Sequence, residues 1–135
     1  MSIEEIEERR AKRVEAKKKT RDQQYEKDLV EVDRIEEELG PDRVGVLKMQ
    51  SHIDGMPTLV VVRTPEVGVF TRFRQMVRRA QGKTHEIGNA KDLLAASCVL
   101  YPDADTYAKM KEHWPSIHDN VGNEAIRLGE AEGKD

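Results

Sequence analysis

Apolar residues are spread unevenly along this chain. Met1 to Leu39 hold 23 charged residues of both signs and neither proline nor glycine. That composition permits a helix with many i,i+4 charge pairs. Up to Gln24 the large aliphatics are Ile3, Ile6 and Val14, too sparse to bury, so this half is expected to be a solvated or frayed helix. From there Tyr25, Leu29, Val32, Ile35 and Leu39 fall at helical spacing and predict an amphipathic helix with one docking stripe. Gly40-Pro41 stops it.

The period then shortens. Arg43–Ser51 and Thr58–Thr64 are the two β-rich pieces, with "HIDGMP" between them. Asp54-Gly55 supplies the positive φ of a hairpin turn. A lone two-stranded hairpin is marginal, so it must pack on helices or pair with another chain, which leaves self-association open. Thr64-Pro65 predicts a capped helix start, and Pro65–Gln81 puts Val69, Phe70, Phe73, Met76, Val77 and Ala80 on one face. Arg72, Arg74, Arg78 and Arg79 take the other face, and Gly82 ends the helix.

Asn89 is expected to cap a nearly uncharged helix, Ala90–Tyr101, as the central buried element. Pro102 breaks it and Asp103 can cap Ala104–His113. Trp114-Pro115 breaks the chain again, and Ser116, with Asp119 three residues on, opens a last helix whose apolar face is Ile117, Val121, Ala125 and Leu128. The fold class expected is α+β, predominantly α. It comprises one β-hairpin packed with three or four short helices, plus a long charged N-terminal helix. Residues 1–40 form that helix, 41–130 the core domain and 131–135 a polar tail.

Composition narrows the function classes. Charged residues are 36% of the chain, aromatics 4%, and the net charge is −3, so there is no general attraction to nucleic acid or to an anionic membrane. One cysteine, Cys98, sits in an apolar run, so a disulfide framework is not expected and a reducing compartment is. The apolar runs are far shorter than a bilayer span, and a soluble intracellular protein is expected.

Candidate chemistry is thin. "GKT" at Gly82–Thr84 lacks the glycine a phosphate loop needs five residues earlier, where Val77 stands, so Gly82 reads as a helix stop. His113 and His118 are five apart across a proline, not the i,i+4 pair of a helical zinc site. Ser97, His85 and Asp92 can be assembled into a nucleophile–base–acid set only by free choice, and no Gly-x-Ser-x-Gly is present. No enzyme, no metal and no cofactor are expected. The face made by Arg72, Arg74, Arg78, Arg79 and Lys83 is the best nucleic-acid candidate, yet Phe70 and Phe73 lie on the opposite, apolar face. A solvated face, or one meeting an acidic partner, is the favoured reading.

Three stretches carry a resemblance: "TLVVVRTPEVGVFTRFRQMV", "LLAASCVLYPDADTY" and "WPSIHDNVGNEAIRLGE". A strand runs into an R-T-P helix start, an apolar helix ends V-L-Y-P, and a W-P break precedes a final helix. Over about Thr58–Glu130 this resembles the tail assembly chaperones of long-tailed (siphovirus-type) bacteriophages. The resemblance implies a non-virion assembly factor of the host cytoplasm. It would bind the tape-measure protein, shield its apolar helices and recruit tail-tube protein.

The family is commonly made in two forms by a programmed ribosomal frameshift. Glu132-Gly133-Lys134 can be encoded as a slippery G-GGA-AAR run, so a frameshift-extended product is expected. The client-binding candidates are Tyr25, Leu29, Val32, Phe70, Phe73, Trp114, Ile117 and Val121, each a core position or a surface one. Two alternatives stay open: a structural protein of the head–tail connector or minor tail, and a small nucleic-acid-binding regulator using the Arg72–Lys83 face.

Overall fold

A computed structural model describes residues 1–131 of the chain; the polar tail and the frameshift signal expected there fall largely outside the described residues. The fold is α+β and predominantly helical, with one small antiparallel sheet. Helix α1 spans Ile3–Leu39 without a break, opened by Ser2, whose Oγ accepts from the Glu5 N–H. Gly40 ends it at φ 92°. Strands β1 (Val44–Lys48) and β2 (Leu59–Arg63) pair antiparallel, with Val46 opposite Val61. Helices α2 (Val67–Ala80) and α3 (Thr84–Cys98) follow, then a third strand, β3 (Val99–Tyr101). Helices α4 (Ala104–His113) and α5 (Ile117–Ala131) complete the described chain.

The expected hairpin is therefore two-thirds of a sheet. β3 pairs antiparallel with β2, with a bulge at Val61/Val62, and the strand order is β1-β2-β3. This corrects the expected helix Ala90–Tyr101. The helix begins six residues earlier, Asn89 is inside it, and its last three predicted residues leave to close the open edge of β2. Val99-Leu100-Tyr101 is β-branched and aromatic, and pairing with β2 outweighs continuation of the helix. Lys48 and Leu59 are joined by a ten-residue connection rather than a tight turn, with Gly55 at φ 84° inside it. In that connection His52 is buried, its Nε2 2.9 Å from the Met56 carbonyl and its Nδ1 without a hydrogen-bond partner.

Both faces of the sheet are covered, which is why β2 reads "LVVV" without alternation. Leu59 and Val61 face α1 and pack with Val32, Ile35 and Val44. Val60 and Val62 face the other helices, in a core with Leu94, Met110, Ile117 and Val121. Close packing of α5 needs glycine. A Cβ on Gly122 would lie 2.4 Å from the Lys91 side chain, and one on Gly129 would lie 2.8 Å from the Phe70 ring.

A further correction concerns Thr64. It does not cap α2: its N–H and its hydroxyl both donate to the Arg43 carbonyl, at 2.8 and 2.9 Å. The residue extends the β1–β2 pairing, and the helix starts at Val67. Gly82, by contrast, follows the left-handed Gln81 and stops α2 as expected.

The docking stripe of α1 also differs from expectation at two places, the second being Leu39, which is 41% exposed at the helix end. Tyr25, Val32 and Ile35 face the sheet, but Leu29 is 42% exposed and Asp28 takes the seam position, fully buried. Its carboxylate accepts from the Thr58 N–H at 2.7 Å, the Thr58 hydroxyl at 2.5 Å, the Tyr101 hydroxyl at 2.5 Å and Gln24 Nε2 at 2.9 Å. Burial, and then the bond to Asp28, raise the Tyr101 pKa well above the usual phenol range. One side chain thus ties α1 to the start of β2 and the end of β3.

Residues 1–19 are exposed throughout, so the N-terminal half of α1 stands clear of the body. The seat begins at Arg21, whose guanidinium donates to the Met49 carbonyl at 3.4 Å, and at Gln24. Removing residues 1–18 is expected to change stability by under about 1 kcal/mol in denaturant unfolding. Removal through Gln24 strips a hydrogen bond from buried Asp28 and is expected to cost about 1.5–3 kcal/mol.

Candidate functional site

An apolar cleft lies between α2 and α3. These two helices, joined by the short Gln81-Gly82-Lys83 link, pack on each other and leave between them a cleft of about 180 Å³. From α2 come Val69, Phe73 and Met76; from α3 come Leu93 and Leu94, with Arg72 and Ser97 at the edge. Leu94 is the buried floor. Leu93, next to it in sequence, projects from the helix on another side and is 56% exposed. Two leucines in a row thus do two different things.

The cleft is framed by charge on one side. Arg72, Arg74, Arg78, Arg79 and Lys83 are all exposed. The Arg74 guanidinium lies 4.6 Å from the Phe70 ring centroid, and Phe70 stacks on Phe73 at 5.9 Å. Of these three side chains, Phe73 lines the groove, while Phe70 belongs to the core beneath α2.

The candidate client-binding residues divide sharply. Val32, Phe70, Ile117 and Val121 are core, at 8% exposure or less, and offer nothing to a partner. Tyr25 is half-buried beside Lys48, whose ammonium sits 5.7 Å from its ring centroid. Trp114 is half-buried and donates from Nε1 to Ser51 Oγ at 2.8 Å. Leu29 is exposed on α1, and Phe73 alone of the eight lines the α2–α3 groove. Leu93, Val69 and Met76 are groove residues that reading the sequence for function did not single out. The signal available was adjacency: two neighbouring leucines on a helix cannot both face one core.

Ser97, His85 and Asp92 each have other partners. Ser97 Oγ donates back to the Leu93 carbonyl at 3.0 Å, the His85 ring is 3.5 Å from the Asn89 amide, and Asp92 lies 3.9 Å from His118. The Cys98 thiol is buried, and burial pushes its pKa up to about 11, which leaves it protonated and unreactive near neutral pH. A polar chain does link three helices: the Tyr107 hydroxyl is 2.7 Å from His118 Nδ1, and His118 Nε2 is 3.0 Å from the Asp92 carbonyl oxygen. One neutral tautomer satisfies both bonds, with Nε2 donating and Nδ1 accepting. Among the described residues no cluster of three or more His, Cys, Asp or Glu side chains could hold a metal ion. None of their helices is long and apolar enough to cross a membrane. The chain matches no family model, no curated protein and no solved structure in the comparisons made.

Proposed function

We propose that this protein is a phage tail assembly chaperone that works by binding rather than by catalysis, with the α2–α3 groove as its client site. The observation that carries the reading is the open apolar groove with exposed Leu93 at its lip. A groove of this size takes the one or two apolar side chains by which an amphipathic helix anchors itself. The client proposed is a helical segment of the tape-measure protein, whose apolar stripe the groove would cover while the arginine face and α1 keep the complex in solution. The resemblance of residues 58–130 to tail assembly chaperones supports the same reading. Recruitment of tail-tube protein, action in the host cytoplasm, absence from finished particles and a frameshift-extended second form belong to this proposal.

Co-expression with the tape-measure protein of the same genome tests it. Soluble tape-measure protein is expected only when the chain is present. Leu93→Glu is expected to reduce the co-purified client about tenfold or more, because it sets a charge in the groove mouth. The substituted residue is surface-exposed, so the thermal midpoint should stay within a few degrees of wild type. Equal recovery of client with wild type, with Leu93→Glu and with no chaperone would end the proposal.

A further inference from the structure

The overhanging half of α1 is not a uniform mixture of charge. Stepping back from the sheet-facing seam (Ile35, Val32, Asp28, Tyr25) by threes and fours reaches Arg21, Lys17, Val14, Arg10, Ile6 and Ile3. The face that is buried on the body therefore continues past it as a row of aliphatics and cations. One acid, Glu7, shares the inner face; on the far side of the same turns lie Glu4, Glu5, Glu8, Glu15 and Asp22, with Lys12 and Lys19 among them. Between Arg9 and Arg21 eight cationic residues stand against one acid. Lys12 is the one of them in an ion pair among the described residues, with Glu8 at 3.4 Å. Ile3 and Val14 are 74% and 68% exposed.

We infer that this inner face of residues 3–21 is a docking surface for an acidic amphipathic α-helix of another protein. The charge row calls for an anionic partner. The interleaved aliphatics favour a helix over a nucleic acid, since phosphates gain nothing from Ile3, Ile6 or Val14, whereas a helix with its own apolar line does. The seam is continuous with one that already packs, so a partner would extend the seat of α1 by about five turns, or about 28 Å. The long cationic stems can cover apolar surface while their heads reach flanking carboxylates. This surface is distinct from the α2–α3 groove, and its test does not depend on the tail-chaperone reading.

The probe is a four-heptad synthetic peptide with Leu at a and d and Glu at e and g, titrated against the full chain by fluorescence anisotropy. A second peptide with Lys at e and g and a short DNA duplex are run beside it. Saturable micromolar binding of the acidic peptide, weakened by salt, is expected, with no binding of the basic one. The triple variant Arg10→Glu, Arg13→Glu, Lys17→Glu is expected to weaken it about tenfold or more at an unchanged thermal midpoint, since all three residues are exposed. No saturable binding, binding that the triple variant leaves intact, or tighter binding of the duplex than of the acidic peptide would overturn the inference.

Discussion

Leu94→Asp is expected to leave the protein unfolded under native conditions. Leu94 is 2% exposed and sits where α3 meets α2 and the sheet layer, in contact with the core that holds Val60, Phe70, Val121 and Ala125. Aspartate would lose the transfer energy of an isobutyl group and leave part of its volume empty, about 2.7–5 kcal/mol for a leucine truncation in a well-packed core. It would also place a carboxyl among aliphatic neighbours, adding a further penalty unless the group takes up a proton. Together these approach the 5–15 kcal/mol margin of a typical domain. The matched control is Arg79→Ala on the exposed face of α2, expected to change stability by under about 0.5 kcal/mol. Far-ultraviolet circular dichroism and denaturant titration compare the two, and similar losses would mean that the faces of α2 and α3 are assigned wrongly.

Asp28 carries the second large effect. Its two oxygens accept from four donors; Thr58 immediately precedes β2 and Tyr101 ends β3. Asp28→Ala would strand the Thr58 N–H and leave two hydroxyls and an amide to find new partners inside the α1–sheet seam. Loss of about 3–5 kcal/mol is expected, with α1 loosened ahead of the rest of the fold. Asp28→Asn should be much milder. Its oxygen can stay on the Thr58 side, while Tyr101 turns its hydroxyl and Gln24 flips its amide to accept from the new NH2. A cycle of Asp28→Asn with Tyr101→Phe reads the coupling directly. If alanine and asparagine cost the same, the hydrogen-bond geometry is not what holds α1.

The same residue marks where the sequence misleads. The docking half of α1 was legible from Tyr25, Val32 and Ile35, because a seam of large side chains at helical spacing has few other uses. A charged residue on that seam reads as solvated, so the stripe was carried through Leu29 instead of Asp28. Only the donors that converge from Thr58 and Tyr101, 30 and 73 positions away, make the burial tolerable, and no local pattern announces them. Strand β3 was hidden for a similar reason. Its three residues follow an apolar helix without a glycine or proline between, and their strand character comes from the vacant edge of β2. Thr64 shows tertiary pairing taking a hydroxyl that local rules assign to a helix cap.

Of the candidate site, one half was visible and one was not. The α2 face containing Val69, Phe73 and Met76 was read as one apolar face, with Phe73 a client-binding candidate and core or surface left open. Whether such a face is buried or bordered by a groove depends on how far α3 approaches it, which spacing along one helix does not encode. The basic face was legible as exposed, and all five of its members are. The charge bias within α1 was present in the sequence but missed, because counting both signs together over the whole segment conceals an inner row richer in cations and an outer one richer in acids.

The claim that most needs testing is that clients enter the α2–α3 groove. Hydrogen exchange measured on the full chain, with and without a soluble helical segment of the tape-measure protein, addresses it without any substitution. The groove reading predicts added protection across residues 69–76 and 90–97, with the amides of α4 unchanged. Protection confined to other elements, or no change at a client concentration that saturates co-purification, would contradict it.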